Sequence, residues 1–157
     1  MQTDMERGVQ TYNLLCQALE ENEWKYDKDD EKLAIDISFS SDDLPIKFRV
    51  AVDVKREIVS LFSLLPFKFK DDTRIDGSTA VNAINYKLAD GSFDYDLGDG
   101  TVGFRMTTSY CESLLSTEVF KYMIDCAFWT VDRYNDKLLA LNKGYITIKE
   151  FFERIAD

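Results

Sequence analysis

Histidine does not occur anywhere in the 157 residues. Its absence removes the usual general base, the commonest metal ligand, and every Ser-His or Cys-His nucleophile pair. Proline occurs only at Pro45 and Pro66, and no Pro/Gly/Ser-rich stretch marks a linker. A single domain over residues 1–157 therefore fits, domains clustering at about 100–150 residues. Basic residues are outnumbered, 19 Lys and Arg against 29 Asp and Glu, for a formal charge of −10. Phosphate neutralisation needs clustered cations, so this balance argues against nucleic acid and against an anionic membrane surface. No apolar run approaches the ~20 residues of a membrane-spanning helix, and the first residues lack the basic and apolar stretches of a signal peptide. The cysteines Cys16, Cys111 and Cys126 are odd in number and have no close pairing. Reduced thiols in a cytoplasmic protein are the expectation.

What is present favours a folded core. Hydrophobic residues make up 45% and aromatics 13%, too much apolar surface for a disordered chain. Thr3 and Glu6 form a capping box for a first helix, with Met5, Val9, Tyr12, Cys16 and Leu19 on one face and Asn22 as its stop. Trp24 and Tyr26 suggest a short strand before a charged turn at residues 27–31. Leu33, Ile35, Ile37 and Phe39 alternate with polar or small residues, and so do Ile46, Phe48, Val50, Val52 and Val54. A further strand near 58–64, reached by a tight turn at Lys55 and Arg56, should end at Pro66. Period-two alternation in consecutive strands means an antiparallel sheet with one wet face.

Val81, Ile84 and Leu88 stripe a helix over about 73–89, with Asp90-Gly91 closing it through a left-handed glycine. Phe93, Tyr95 and Leu97, a turn at Gly98-Asp99-Gly100, and Val102, Phe104, Met106 and Thr108 form a hairpin. Phe120, Ile124, Ala127, Val131, Tyr134, Leu138 and Leu141 mark a long C-terminal helix. Gly144 ends it. Thr147 and Glu150 cap a short extension, residues 145–157, carrying Ile148, Phe151, Phe152 and Ile155. The order gives an α+β fold with helices covering one sheet face.

A search for chemistry returns little. Cys111 is the one cysteine placed loosely enough for a nucleophile, and it has no histidine to activate it. The segment Asp94–Gly100 has the composition of a calcium loop but the wrong register: Asp99 falls at the sixth position and Arg105 at the twelfth. The acid pairs Asp29-Asp30, Asp42-Asp43 and Asp71-Asp72 fall in turns, and a carboxylate hydrolase would need two acids converging in one cleft. Gly98 and Gly100 precede a strand and form no nucleotide fingerprint. No metal or cofactor is expected, and no enzyme activity. Phe128 and Trp129 add rings to an already apolar helix, and Phe67 and Phe69 alternate with Lys68 and Lys70. These four are the candidate partner-binding residues, Phe128 and Trp129 as helix anchors, although completing the chain's own core accounts for those two equally well, and Phe67 and Phe69 as an edge strand or exposed ledge.

Three stretches carry a family resemblance: Asn82-Ala83-Ile84-Asn85, then Gly91-Ser92-Phe93-Asp94-Tyr95-Asp96, then Asp99-Gly100-Thr101-Val102-Gly103-Phe104-Arg105. Leu114-Leu115-Ser116-Thr117-Glu118 before the long helix completes it. Over about residues 5 to 143 the chain resembles the YbjN-like domain, whose fold is related to type III secretion chaperones. The resemblance implies a curved antiparallel sheet flanked by N-terminal, middle and long C-terminal helices. It also implies a non-catalytic, chaperone-like or regulatory module that holds an extended segment of a partner protein, with homodimerisation open. A small-ligand sensor with a pocket between sheet and helices is the alternative. Arg105 is expected to pair with Asp94 or Asp96 across the hairpin.

Overall fold

The computed structural model describes residues 1–156; Asp157, the last residue of the proposed extension, lies outside them. The chain forms an α+β fold. An N-terminal helix α1 (Asp4–Glu21) is followed by strands β1 (Tyr26–Asp29), β2 (Ala34–Phe39), β3 (Ile46–Asp53) and β4 (Ile58–Lys68). After a single 3-10 turn at Asp71–Thr73 come α2 (Arg74–Lys87), β5 (Ser92–Tyr95), β6 (Thr101–Ser109), α3 (Thr117–Asn142) and α4 (Ile148–Arg154). The strands build one six-stranded sheet in the order β1-β2-β3-β4-β6-β5, antiparallel at every pairing. β4 and β6 are neighbours in the sheet although α2 and β5 lie between them in the chain, and α2 docks at the β5 end.

Alternation decides the layers. Ile35 and Ile37, then Ile46, Phe48, Val50 and Val52, then Val59, Leu61 and Leu65, are buried on one face. α1 and α3 cover that face, α3 presenting the expected stripe from Phe120 to Leu141, all buried. The opposite face carries no helix among the described residues. α4 packs against α2 and α3, burying Phe151 and Ile155.

Several boundaries differ from the sequence reading, each for a physical reason. α1 buries Gly8, Thr11, Tyr12, Leu15, Cys16, Ala18 and Leu19, while Met5 and Val9 are exposed. Gly8 sets this rotation: a Cβ there would come within 2.6 Å of Val54 Cγ2. The first turn of the sheet falls at residues 30–33, with Leu33 at φ 49°. Pro66 does not end β4. It lies at the register irregularity between Leu64 and Lys68, where a missing N–H costs no ladder bond. α2 stops at Lys87 with an extended C-cap at Leu88. Gly91 is left-handed as expected, at φ 72°, but it turns the chain into β5. Leu97 lies in the turn and is exposed.

Both capping boxes form, and with them comes a pH signature. Glu6 and Glu150 are held below the ordinary carboxylate range by the backbone N–H and hydroxyl of Thr3 and Thr147. Asp29 is lowered chiefly by its bond from Arg49. Asp99 is pulled down to about 2 by the Thr101 hydroxyl, the Thr101 N–H and Lys68. Groups with folded pKa values below their unfolded ones add stability above the unfolded pKa and lose it as pH falls through the folded one. The melting temperature should therefore decline between about pH 4.5 and pH 2, with no imidazole titration between about pH 6 and 8. A melting temperature that rises across the acid range would contradict these assignments.

Candidate functional site

The face without helices is not uniformly polar. β4 directs Ser60, Phe62, Leu64 and Pro66 outwards, and Phe62 and Leu64 remain 39% and 58% exposed. Solvent-facing positions of a one-sided sheet are normally polar. Here the central strand carries an apolar ridge. Phe62 is flanked in register by Arg49 of β3 and Arg105 of β6. Its ring lies over Gly103, where a Cβ would come within 2.6 Å of Phe62 Cζ. The glycine thus leaves the space over β6 that the ring occupies.

Acids on the outer strands fix the two arginines. Arg49 donates to Asp36 Oδ2 and Asp29 Oδ2, both at 2.7 Å, and its pKa is raised by Asp29 and Asp36. Arg105 contacts both carboxylate oxygens of Asp94 at 3.0 Å, the cross-hairpin pair expected from the sequence. Exposed pairs of this kind contribute only about 0–1 kcal/mol each, so their effect is to orient the guanidinium groups. Beside the ridge lie two grooves. One, of about 580 Å3, runs between β3 and β4 and is lined by Asp36, Lys47, Arg49, Phe62, Leu64 and Pro66, among others. The second, of about 450 Å3, is bounded by Phe62, Gly103, Tyr95, Leu97 and Thr101 with the two acids Asp94 and Asp96.

The four candidates named from sequence separate into two pairs. Phe69 is 1% exposed, packed edge-on against Phe67 at 5.9 Å and Tyr95 at 5.6 Å. It belongs to the core, and Phe67 is half-buried beside it. Neither forms an exposed ledge, Phe69 being buried and Phe67 half-buried. Phe128 is half-buried against Phe39 at 5.2 Å. Trp129, edge-on to Phe128 at 5.5 Å, is 67% exposed and is the most exposed of the four. Phe62 and Leu64 were missed. Their signal was the doublets Leu61-Phe62 and Leu64-Leu65, which break the alternation that the other strands keep.

Of the two sheet edges, β5 is closed. Phe93 N–H donates to Asn85 Oδ1 at 2.8 Å, and Asn85 Nδ2 donates back to the Phe93 carbonyl at 3.0 Å. One amide side chain from α2 thus takes the place of a neighbouring strand. Asn85→Ala should cost about 1–3 kcal/mol by leaving both groups unpaired, and should reopen the edge to self-pairing. Denaturant melts and sedimentation check it; unchanged stability would mean that water replaces the amide. The β1 edge is four residues long and carries Asp27, Lys28 and Asp29, which makes it a poor template for a further strand.

Metal or nucleophile chemistry finds no assembled site. Asp96 accepts from Gly98 N–H and Asp99 from Thr101 N–H, so these acids hold the turn. Among the described residues no cluster of three or more Cys, Asp or Glu is placed to hold a metal ion. Cys111 is exposed, and the Ser109 hydroxyl donates to its sulfur at 3.0 Å.

A model of the YbjN family, described as "Putative bacterial sensory transduction regulator", matches residues 11–140. The chain belongs to the YbjN family. The residues that carried the resemblance now have structural roles in this YbjN member: Asn85 closes the β5 edge, Gly103 underlies Phe62, and Arg105 holds Asp94. Solved structures agree on the fold. Crystalline YbjN from E. coli aligns with TM-score 0.61 at 10% identity, covering 84% of this chain and 93% of that one. A HopA1–SchA chaperone–effector complex contains a chain aligning with TM-score 0.54 at 18% identity, covering 82% and 95%. The ExsC–ExsE complex contributes another, with TM-score 0.56 at 15% identity, covering 81% and 94%. No curated protein matches significantly.

Proposed function

We propose that this YbjN-family chain is a non-catalytic protein-binding module, chaperone-like or regulatory, that receives an extended segment of a partner protein along β4 on its open sheet face. The observation carrying this reading is the exposed pair Phe62 and Leu64 on the central strand, between two grooves. Contiguous apolar groups rimmed by polar ones mark interaction surfaces, and Phe62, Leu64 and Pro66 are successive outward positions on one strand, bordered by Arg49, Lys47 and Asp36. Two of the folds it resembles were solved as complexes, one of them chaperone with effector. The family's description as a sensory transduction regulator supports the regulatory form. No described helix is long and apolar enough to cross a membrane.

The sensor alternative gains less support. The space between sheet and helices is filled by Phe48, Leu61, Phe104, Phe120 and their neighbours, and the 580 Å3 groove lies on the other side of the sheet.

Burying a Phe or Leu side chain contributes about 1.5–3 kcal/mol, and surface substitutions elsewhere shift stability by about 0.5 kcal/mol or less. Phe62→Asp with Leu64→Asp should therefore keep the fold and weaken capture of a partner by at least about a hundredfold. Tyr86→Asp, at a 92% exposed position on α2, should leave capture unchanged. Equal capture by all three proteins would remove the open face as the binding surface.

A further inference from the structure

The open face sorts its charges by distance from the ridge. Lys47 and Arg49 stand on β3, immediately beside β4 on one side, and Arg105 stands on β6 on the other. Most acids lie farther out, Asp27 and Asp29 on β1, Asp36 on β2, Asp94 on β5; Asp53 is on β3, at the strand end opposite Ile58 and away from Phe62 and Leu64. A chain of net charge −10 thus places cations against its exposed apolar strip and carboxylates at the rim. Arg49 and Arg105 are already held by Asp29, Asp36 and Asp94. Lys47 is exposed and forms no ion pair among the described residues, yet it lines the larger groove with Phe62, Leu64 and Pro66.

From this arrangement we infer that the partner segment is acidic as well as apolar, an extended stretch alternating aliphatic side chains with carboxylates. The inference rests on the proposed binding face. Phe62 and Leu64 are two residues apart on one strand face, about 6.8 Å along it. An extended segment lying parallel to β4 repeats its own side chains at that spacing. Its aliphatic groups enter the grooves beside Phe62 and Leu64, and its carboxylates meet Lys47 on the β3 side, the cation with no ion pair among the described residues. The overall negative charge opposes this only at long range: at physiological salt, fields decay over about 8 Å. Contacts at the ridge set the preference, and distant acids slow the encounter. A second copy of this chain fits poorly here. Folding the face onto itself about an axis along β4 sets Arg49 and Lys47 against Arg105.

The test uses fluorescently labelled peptides of about ten residues, leucine alternating with glutamate, with lysine, or with serine, titrated by anisotropy at about 0.15 M salt. The leucine–glutamate peptide should bind the full chain about tenfold tighter than the leucine–lysine peptide. Lys47→Glu should abolish or reverse that order, while Lys149→Glu on α4 should leave it intact. The inference is overturned by a lysine preference, or by a glutamate preference that Lys47→Glu does not alter. All three peptides binding equally, with binding lost in the Phe62→Asp and Leu64→Asp protein, would overturn the acidic partner and leave the binding face standing. Binding that survives those two substitutions would overturn both.

Discussion

Gly100→Ala is expected to destabilise the protein by about 2–5 kcal/mol. Two costs combine at this position. Gly100 has φ 78°, and an alanine held there loses about 1–2 kcal/mol. A Cβ would also come within 2.1 Å of the Phe69 carbonyl oxygen, a backbone atom that cannot swing aside. The clash falls on the bond from Phe69 N–H to Gly100 O at 2.9 Å, which joins the end of β4 to the hairpin turn. Gly144 provides the comparison, with φ 74° and nothing within 4 Å. Gly144→Ala should show only the conformational cost, about 1–2 kcal/mol. Denaturant unfolding of both variants separates the two effects. If Gly100→Ala loses no more than Gly144→Ala, the close approach to Phe69 does not exist in solution.

Phe151→Ala should be comparably severe, about 3–5 kcal/mol. Phe151 is fully buried although its helix begins beyond residue 140, where the family match ends. The helix is short, so its capping box at Thr147 and Glu150 and its apolar contacts with α2 and α3 must hold it. Lys87 Nζ adds a bond to the Ile155 carbonyl at 2.5 Å. Folded domains are stable by only about 5–15 kcal/mol, so such a loss would be visible in any melt. Phe152, next in sequence and 41% exposed, should tolerate alanine within about 1 kcal/mol. A Phe151→Ala protein as stable as the parent would mean that α4 is undocked.

The elements whose signal is local were legible in the sequence. α3 follows from one apolar stripe and both capping boxes from their side-chain pairs, because helix periodicity and caps depend only on neighbours. Where two elements meet, the reading failed. Met5 and Val9 looked like core because their spacing is helical, but the close approach of Gly8 to Val54 rotates α1 away from them. Pro66 looked like a strand end because proline lacks a donor, and only the register irregularity after Leu64 shows why it is accommodated. Phe69 looked available because its neighbours are lysines, yet Gly100 and Tyr95 close over it. The site suffered most. Phe62 and Leu64 were legible as strand residues, but which face of β4 the helices cover is a property of the whole sheet.

The binding face itself is tested most directly by a photo-crosslinking amino acid placed in turn at Leu64, Lys47 and Tyr86, with irradiation in cells. Adducts of one size from Leu64 and Lys47, and none from Tyr86, are the predicted result. Adducts from Tyr86 while Leu64 and Lys47 give none would place the partner on α2 and contradict the account.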